Sequence, residues 1–182
     1  MKKGLTFTRI TNSKSKLFEK AWRIYEEAFP SETKRSLDSQ TKTLESPEYN
    51  FNLVYQNNSP IGIIAHWDFK DFSFIEHLAI DKNLRSKGLG TKLLQKFLNS
   101  KLTILEVHKP VEEIDKRRIE FYKRNSFKLN EFDYLQPAYE PDKKAVPLFI
   151  MSSPRTIELP EFEKIREVLH KGVYGLPQAL VH

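Results

Sequence analysis

Phe74-Ile75-Glu76-His77-Leu78-Ala79-Ile80-Asp81 leads into Lys82-Asn83-Leu84-Arg85-Ser86-Lys87-Gly88-Leu89-Gly90, and that into Thr91-Lys92-Leu93-Leu94. The first stretch predicts a strand and the second a polar turn. The third predicts the start of a helix, in which Leu89, Leu93 and Phe97 recur every four residues. Such an order offers a helix N-terminus to an anion. The leading amides of a helix lack carbonyl partners and carry a partial positive charge. Gly88 and Gly90 remove two side chains from the approach, and Arg85 and Lys87 add full charges. Two other phosphate loops are excluded by spacing. A dinucleotide fingerprint needs a small residue at position 93, which is Leu, and no G-x-x-x-x-G-K-[ST] run exists. The plain alternative is a glycine turn before a helix.

Working outward, residues 5–10 alternate as a strand, and Ser13 is placed to cap a helix running to about Phe29. Leu17, Ala21, Ile24, Tyr25 and Ala28 share a face of it, and Pro30 ends it. A short helix is expected from Thr33 to Leu44. Strands follow at 51–55 and 61–67, joined through Asn57-Asn58-Ser59-Pro60, then at 72–80. After the glycine turn and its helix, to about Ser100, come a strand at 102–107, a helix at 112–124 and a strand at 127–132. Residues 133–144, with two Pro and two Tyr, read as a long loop, and 146–151 as a last strand. A terminal helix from Pro160 to about Lys171 is expected, with Glu161 and Glu163 at its positive end and Gly172 as its stop. Phe162, Ile165 and Leu169 form its apolar stripe, which packs on the domain or makes a dimer contact. The order predicts a mixed α+β fold rather than a doubly wound parallel sheet. Residues 1–153 are expected to form the domain and 154–182 a helical extension packed on it.

The chain has 182 residues, which bounds it to about one domain. Thirteen Phe, seven Tyr and two Trp exclude disorder as the dominant state. No apolar run approaches the length of a membrane span. With no Cys there are no disulfides, thiolate metal sites or Cys nucleophiles, and no signal-peptide pattern opens the chain, so a cytoplasmic location is expected. The net charge of +6 suits an anionic partner or simple solubility. No recognition-helix or RNA-binding motif accompanies it, and no His spacing supports a metal site.

The segment 74–94 resembles the cofactor segment of the GNAT superfamily of N-acetyltransferases, a strand followed by R/Q-x-x-G-x-G/A opening a helix. Arg118-Ile119-Glu120-Phe121-Tyr122-Lys123-Arg124-Asn125-Ser126-Phe127 resembles that family's later helix and strand, which usually end Tyr-x-x-x-Gly-Phe. Ser126 stands where the family usually has Gly, and Asp115 where many members have an Asn touching the pantetheine arm. The resemblance implies a central, mostly antiparallel sheet of six to seven strands with a splayed parallel pair and helices on both faces. It implies acetyl-CoA as donor and a primary amine as acceptor. Leu78, Ala79 and Ile80 would pair with the pantetheine amides. The amides of Arg85, Ser86, Lys87, Gly88, Leu89, Gly90 and Thr91 would hold the pyrophosphate, with Asp115 near the arm. No metal, nucleic acid or membrane partner is implied, and the chain would act as a monomer or homodimer. A non-catalytic acyl-CoA-binding module on the same fold is the alternative.

Amine acetylation needs a base for the attacking amine and an acid for the leaving thiolate. Tyr122 matches the family's acid position; otherwise it is a half-buried packing aromatic. Glu76 is the preferred base, because strand alternation puts it on one face with Phe74, Leu78 and Ile80, where an idle carboxylate is costly. Its alternative is an ion-pair partner. Glu106, on the next strand, is the runner-up base. His77 is expected to be structural. Phe132, Tyr134, Gln136 and Tyr139 belong to the expected long loop, where self-packing competes with lining an acceptor pocket.

Overall fold

The computed structural model describes residues 4–176. Among them lie seven strands and five α-helices, with pairing mostly antiparallel, so the chain is a mixed α+β protein. It divides into two compact units, one ending at Lys101 and the other beginning at Leu102.

In the first unit, β1 (Leu5–Ile10), β2 (Tyr49–Gln56), β3 (Ser59–Asp68) and β4 (Phe72–Ile80) form an antiparallel meander. Asn57 and Asn58 both take positive φ and close β2 to β3 in two residues, since Asn tolerates the left-handed region better than other side chains. Helix α1 (Lys16–Ala28) is capped by Ser15, whose hydroxyl accepts from the Phe18 amide at 3.1 Å. The cap is therefore two residues later than the expected Ser13. The apolar face of α1, with Phe18, Ala21, Ile24 and Tyr25 buried, lies on β2, where Phe18 and Tyr25 meet the Phe51 ring edgewise. Each such side chain contributes about 1.5–3 kcal/mol when removed from water. The expected single helix at 33–44 is a 3₁₀ turn (Ser31–Thr33) followed by α2 (Leu37–Thr43), capped by Ser36. Helix α3 (Leu89–Phe97) starts where expected but ends earlier, and its buried Leu93 and Leu94 complete the core.

Strand β4 is irregular. His77 pairs with Ala65 and Ile75 with His66, so Glu76 has no residue opposite it and forms a bulge. Alternation therefore does not run unbroken from Phe74 to Ile80, which corrects the premise that Phe74, Glu76, Leu78 and Ile80 share one face. Gly62 on β3 lets the strands close beyond the bulge, because a β-carbon there would lie 2.3 Å from the Ala79 carbonyl oxygen.

In the second unit, β7 (Val146–Ser153) lies between β5 (Leu102–His108) and β6 (Lys128–Gln136), antiparallel to both. Strand β6 runs into the expected loop as far as Gln136, so Phe132, Tyr134 and Gln136 are strand residues. Asn130 pairs with Ile150 and Tyr134 with Leu148, which leaves residues 131–133 facing Phe149 alone. These extra residues hide the strand from an alternation test. Helix α4 (Glu113–Arg124) packs on β5 and β6, and α5 (Leu159–Gly172) packs on β6. Gly172 lies inside α5 and is not its stop; Val173 is the C-terminal cap.

The exit of α4 closes on Ser126, at φ 71°. The Phe127 amide donates to the Tyr122 carbonyl at 3.1 Å, and the Ser126 amide to that of Lys123 at 3.2 Å. That is a Schellman closure with Ser where Gly is preferred. A left-handed non-glycine residue costs about 1–2 kcal/mol. Glycine regains it but frees the unfolded chain by about 0.4–1 kcal/mol. Ser126→Gly should therefore raise stability by about 0.5–1 kcal/mol, or Tm by roughly 1–4 °C, followed by circular dichroism. A lower Tm would contradict the strain.

Candidate functional site

The first unit carries a tight glycine-containing loop at the end of β4, leading into α3. Asp81 shapes it: its carboxylate accepts from the Asn83 amide at 2.9 Å, and its carbonyl from the Leu84 amide at 2.8 Å. These bonds form a 3₁₀ turn over Lys82–Leu84. Arg23 reaches Asp81 at 3.5 Å and Lys82 reaches Glu27 at 3.3 Å, so α1 braces the turn. Arg85 Nε donates to the Ile80 carbonyl at 3.1 Å, pinning the loop to the strand end. Ser86 (φ 63°) and Gly88 (φ 69°) both occupy the left-handed region.

Gly88 is the N-terminal cap of α3 and supplies no side-chain bond to it. The Lys92 amide closes the first turn onto the cap, donating to the Gly88 carbonyl at 3.2 Å. Beyond its own chain neighbours, no atom lies within 4 Å of where a Gly88 β-carbon would stand. Arg85, Ser86, Lys87 and Gly88 are exposed, Gly90 and Thr91 half-buried, and Leu89 buried to anchor the helix. Open space, leading amides and two exposed cations suit a pyrophosphate.

Next to the cradle, Leu78 and Ile80 are half-buried on β4 while Ala79 is buried. The Glu76 side chain has no exposed surface, although the residue as a whole is half-buried. What solvent reaches at Glu76 is therefore backbone. That suits a ligand which pairs with main-chain groups along this strand.

The Glu76 carboxylate itself is enclosed. One oxygen accepts from Arg35, itself 3% exposed, and the other from Trp67 Nε1 at 2.8 Å. The Arg35 guanidinium lies 5.8 Å from the ring centroids of both Tyr49 and Trp67. The Arg35 amide donates to the Tyr25 hydroxyl at 2.9 Å, and Gln40 donates to the Tyr49 hydroxyl at 2.9 Å. Burial pushes the Tyr49 phenol well above its ordinary value, and the Glu76 charge adds to this. The geometry thus gives Glu76 the ion-pair role that was the alternative to its being the base. Arg35 had no sequence signal, since its partner is 41 positions away. His77 is structural, as expected: Nε2 lies 2.8 Å from the Thr33 carbonyl, and the ring packs edgewise on Tyr25 and Phe29.

In the second unit, Tyr122 is half-buried on α4, with its ring 5.2 Å from Phe121 and 5.6 Å from Phe127. Burial pushes its phenol up, and the Arg118 charge draws it partly back. It therefore holds its proton at neutral pH, as an acid must. Asp115 lies in the first turn of α4 and accepts from the Glu112 amide at 3.3 Å, half of a capping box.

Glu106, on β5, is half-buried and lies between two phenols. Tyr134 donates to Oε1, and Tyr174, just beyond α5, lies 2.7 Å from Oε2 and 3.0 Å from Oε1. Neither tyrosine was linked to Glu106 by sequence, because they stand 28 and 68 positions away. Among the described residues no group of three or more His, Asp or Glu side chains could hold a metal ion. Nor is any helix there long and apolar enough to cross a membrane.

Residues 14–127 match the profile of the Acetyltransferase (GNAT) family. A Bacteroides thetaiotaomicron structure named as an acetyltransferase of that family is 35% identical, with a TM-score of 0.88. The likeness covers 94% of this chain and 99% of that one. YjbC of Bacillus subtilis (strain 168), named as an acetyltransferase, is 31% identical over 80 residues, and that match spans only 42% of either protein. An Elizabethkingia anophelis GNAT acetyltransferase, solved with acetyl-CoA bound, shares the fold at 14% identity and a TM-score of 0.53, over 82% of this chain and 97% of that one. With the glycine cradle at the mouth of α3, these matches establish that the chain belongs to the GNAT family of acetyltransferases.

Proposed function

We propose that the protein is an N-acetyltransferase that moves the acetyl group of acetyl-CoA to a primary amine by direct attack. The observation that carries this reading is the Gly88-capped mouth of α3, open and flanked by Arg85 and Lys87, in a chain of the GNAT family. The amides from Arg85 to Thr91 would hold the pyrophosphate, and backbone groups of Leu78, Ala79 and Ile80 the pantetheine arm, with Asp115 at its edge. Bound acetyl-CoA supplies a thioester whose C–S bond breaks as the amine nitrogen takes the acetyl carbon.

Glu106 acts as the base that removes the proton from that nitrogen. Its carboxylate is held by two neutral phenols, whereas that of Glu76 is buried against the Arg35 cation, which ties it up as an ion-pair partner. Glu76 instead serves as the buried partner of Arg35. Tyr122 supplies the proton that the departing sulfur takes up. A panel of polyamines, amino acids, aminosugars and peptides, followed by release of free CoA, tests the reading: at least one amine should be acetylated. No turnover with any class would count against catalysis and favour an acyl-CoA-binding module.

Tyr122→Phe removes a hydroxyl and keeps the packing of the ring. The proton matters only as charge develops on sulfur, so kcat falls while acetyl-CoA affinity stays. General acids contribute about 10²–10⁴-fold, and a thiolate leaves readily, so a drop of at least ~10-fold is expected. A variant within two-fold of the parent, with chemistry rate-limiting, would make Tyr122 a packing residue.

A further inference from the structure

We infer that the C-terminal helix belongs to the catalytic apparatus: it delivers the Tyr174 hydroxyl, which together with that of Tyr134 positions the Glu106 carboxylate. The inference rests on the reading of Glu106 as the base. Both tyrosines lie outside residues 14–127, which match the family profile.

The stripe of α5 explains the delivery. Phe162, Ile165 and Leu169 are buried at helical spacing. The Phe162 ring stacks on Phe132 at 4.4 Å and meets Tyr134 edgewise at 6.2 Å. Asn130 ties the approach to the helix to the sheet, accepting from the Ile157 amide at 3.1 Å and donating to Ser152 Oγ at 2.8 Å. At the far end the Val173 and Tyr174 amides both donate to the Leu169 carbonyl, at 2.9 and 3.2 Å, and the Leu176 amide to that of His170 at 2.9 Å. Gly175, at φ 67°, allows this turn. The Tyr174 ring rests 5.2 Å from Tyr139. Packing and main-chain bonds thus fix the position of Tyr174 before its hydroxyl meets Glu106.

Tyr134 holds Oε1 and Tyr174 reaches both oxygens, which leaves the Glu106 carboxylate little freedom to rotate. Hydrogen bonds to a carboxylate favour its charged form. Burial and the Glu106 charge push the Tyr134 phenol well above its ordinary value, so it remains a donor. Among the other titratable groups around them are Arg166 and His170 on α5, and Tyr139, whose ring meets that of Tyr174. The Arg166 charge acts on Tyr134 and on His170, whose ring is 5.7 Å from Tyr134. The β7 residue opposite Glu106 is Ile150, which carries no charge.

The test pairs a carboxyl ¹³C NMR titration with kcat/KM against pH. It uses the full chain, its Tyr174→Phe and Glu106→Gln variants, and the best amine from the CoA-release panel. Glu106→Gln identifies the Glu106 resonance. In Tyr174→Phe the midpoint of that resonance and the acid limb of kcat/KM should both move up by about one pH unit. KM for acetyl-CoA and the thermal midpoint should stay near the parent values. If Glu106→Gln is inactive while Tyr174→Phe leaves both midpoints unmoved, the inference falls and the base reading stands. If Glu106→Gln keeps parental activity, or no amine is turned over, the base reading falls and takes the inference with it.

Discussion

Glu106→Gln is expected to lower kcat/KM by roughly 10²–10³-fold near neutral pH, the range of a positioned general base. The amide nearly matches the carboxylate in shape, so β5 and its pairing with β7 should be kept. It cannot take a proton from the amine. Part of the loss should be recovered as pH rises, because the acceptor amine then loses its proton unaided. Acetyl-CoA affinity should change little, since Glu106 is assigned to no cofactor contact. The check is a pH series of initial rates with acetyl-CoA saturating. An equal loss at every pH would point to a structural carboxylate.

Glu76→Ala is expected to act on stability. It leaves the Arg35 guanidinium buried without its carboxylate, and takes from Trp67 Nε1 its 2.8 Å acceptor. Removing one member of a buried ion pair costs about 3–5 kcal/mol, because the surviving charge remains out of water. Typical domains have about 5–15 kcal/mol in all, so the variant should unfold at much lower urea. Replacing both partners by apolar residues, Arg35→Met with Glu76→Leu, should recover much of the loss, since no charge is then stranded. A single variant within about 1 kcal/mol of the parent would mean that water reaches the pair.

What the sequence made legible follows from the range over which each signal acts. The strand at 72–80 and the start of α3 at Leu89 were readable because a polar glycine turn separates two apolar periodicities within a few residues. The bulge at Glu76 was not, since it is a property of register against β3 and leaves no mark in β4 alone. Missing the bulge made Glu76 look like an idle carboxylate on an apolar face. Arg35, which completes the pair, comes from the turn before α2. Residues 131–133 disguised β6 in the same way, by adding residues that face one partner. Ser126 worked differently. Its departure from the family's Gly was visible in the chain, and the structure gives it physical content as a left-handed serine holding the end of α4 below Tyr122.

Calorimetric titration of acetyl-CoA into the parent and into Gly90→Val tests the central claim most directly. Gly90 is the second residue of α3, among the leading amides of the cradle. A valine side chain there obstructs the approach of a phosphate, while helix propensity does not fall relative to glycine. The parent should bind one equivalent and gain about 2.7 kcal/mol of stability at a ligand concentration 100-fold above Kd. Gly90→Val should stay folded, give no heat of binding and gain no stability. A parent silent in calorimetry and unmoved in thermal melts at millimolar acetyl-CoA would contradict the account, as would a Gly90→Val protein that binds as tightly as the parent.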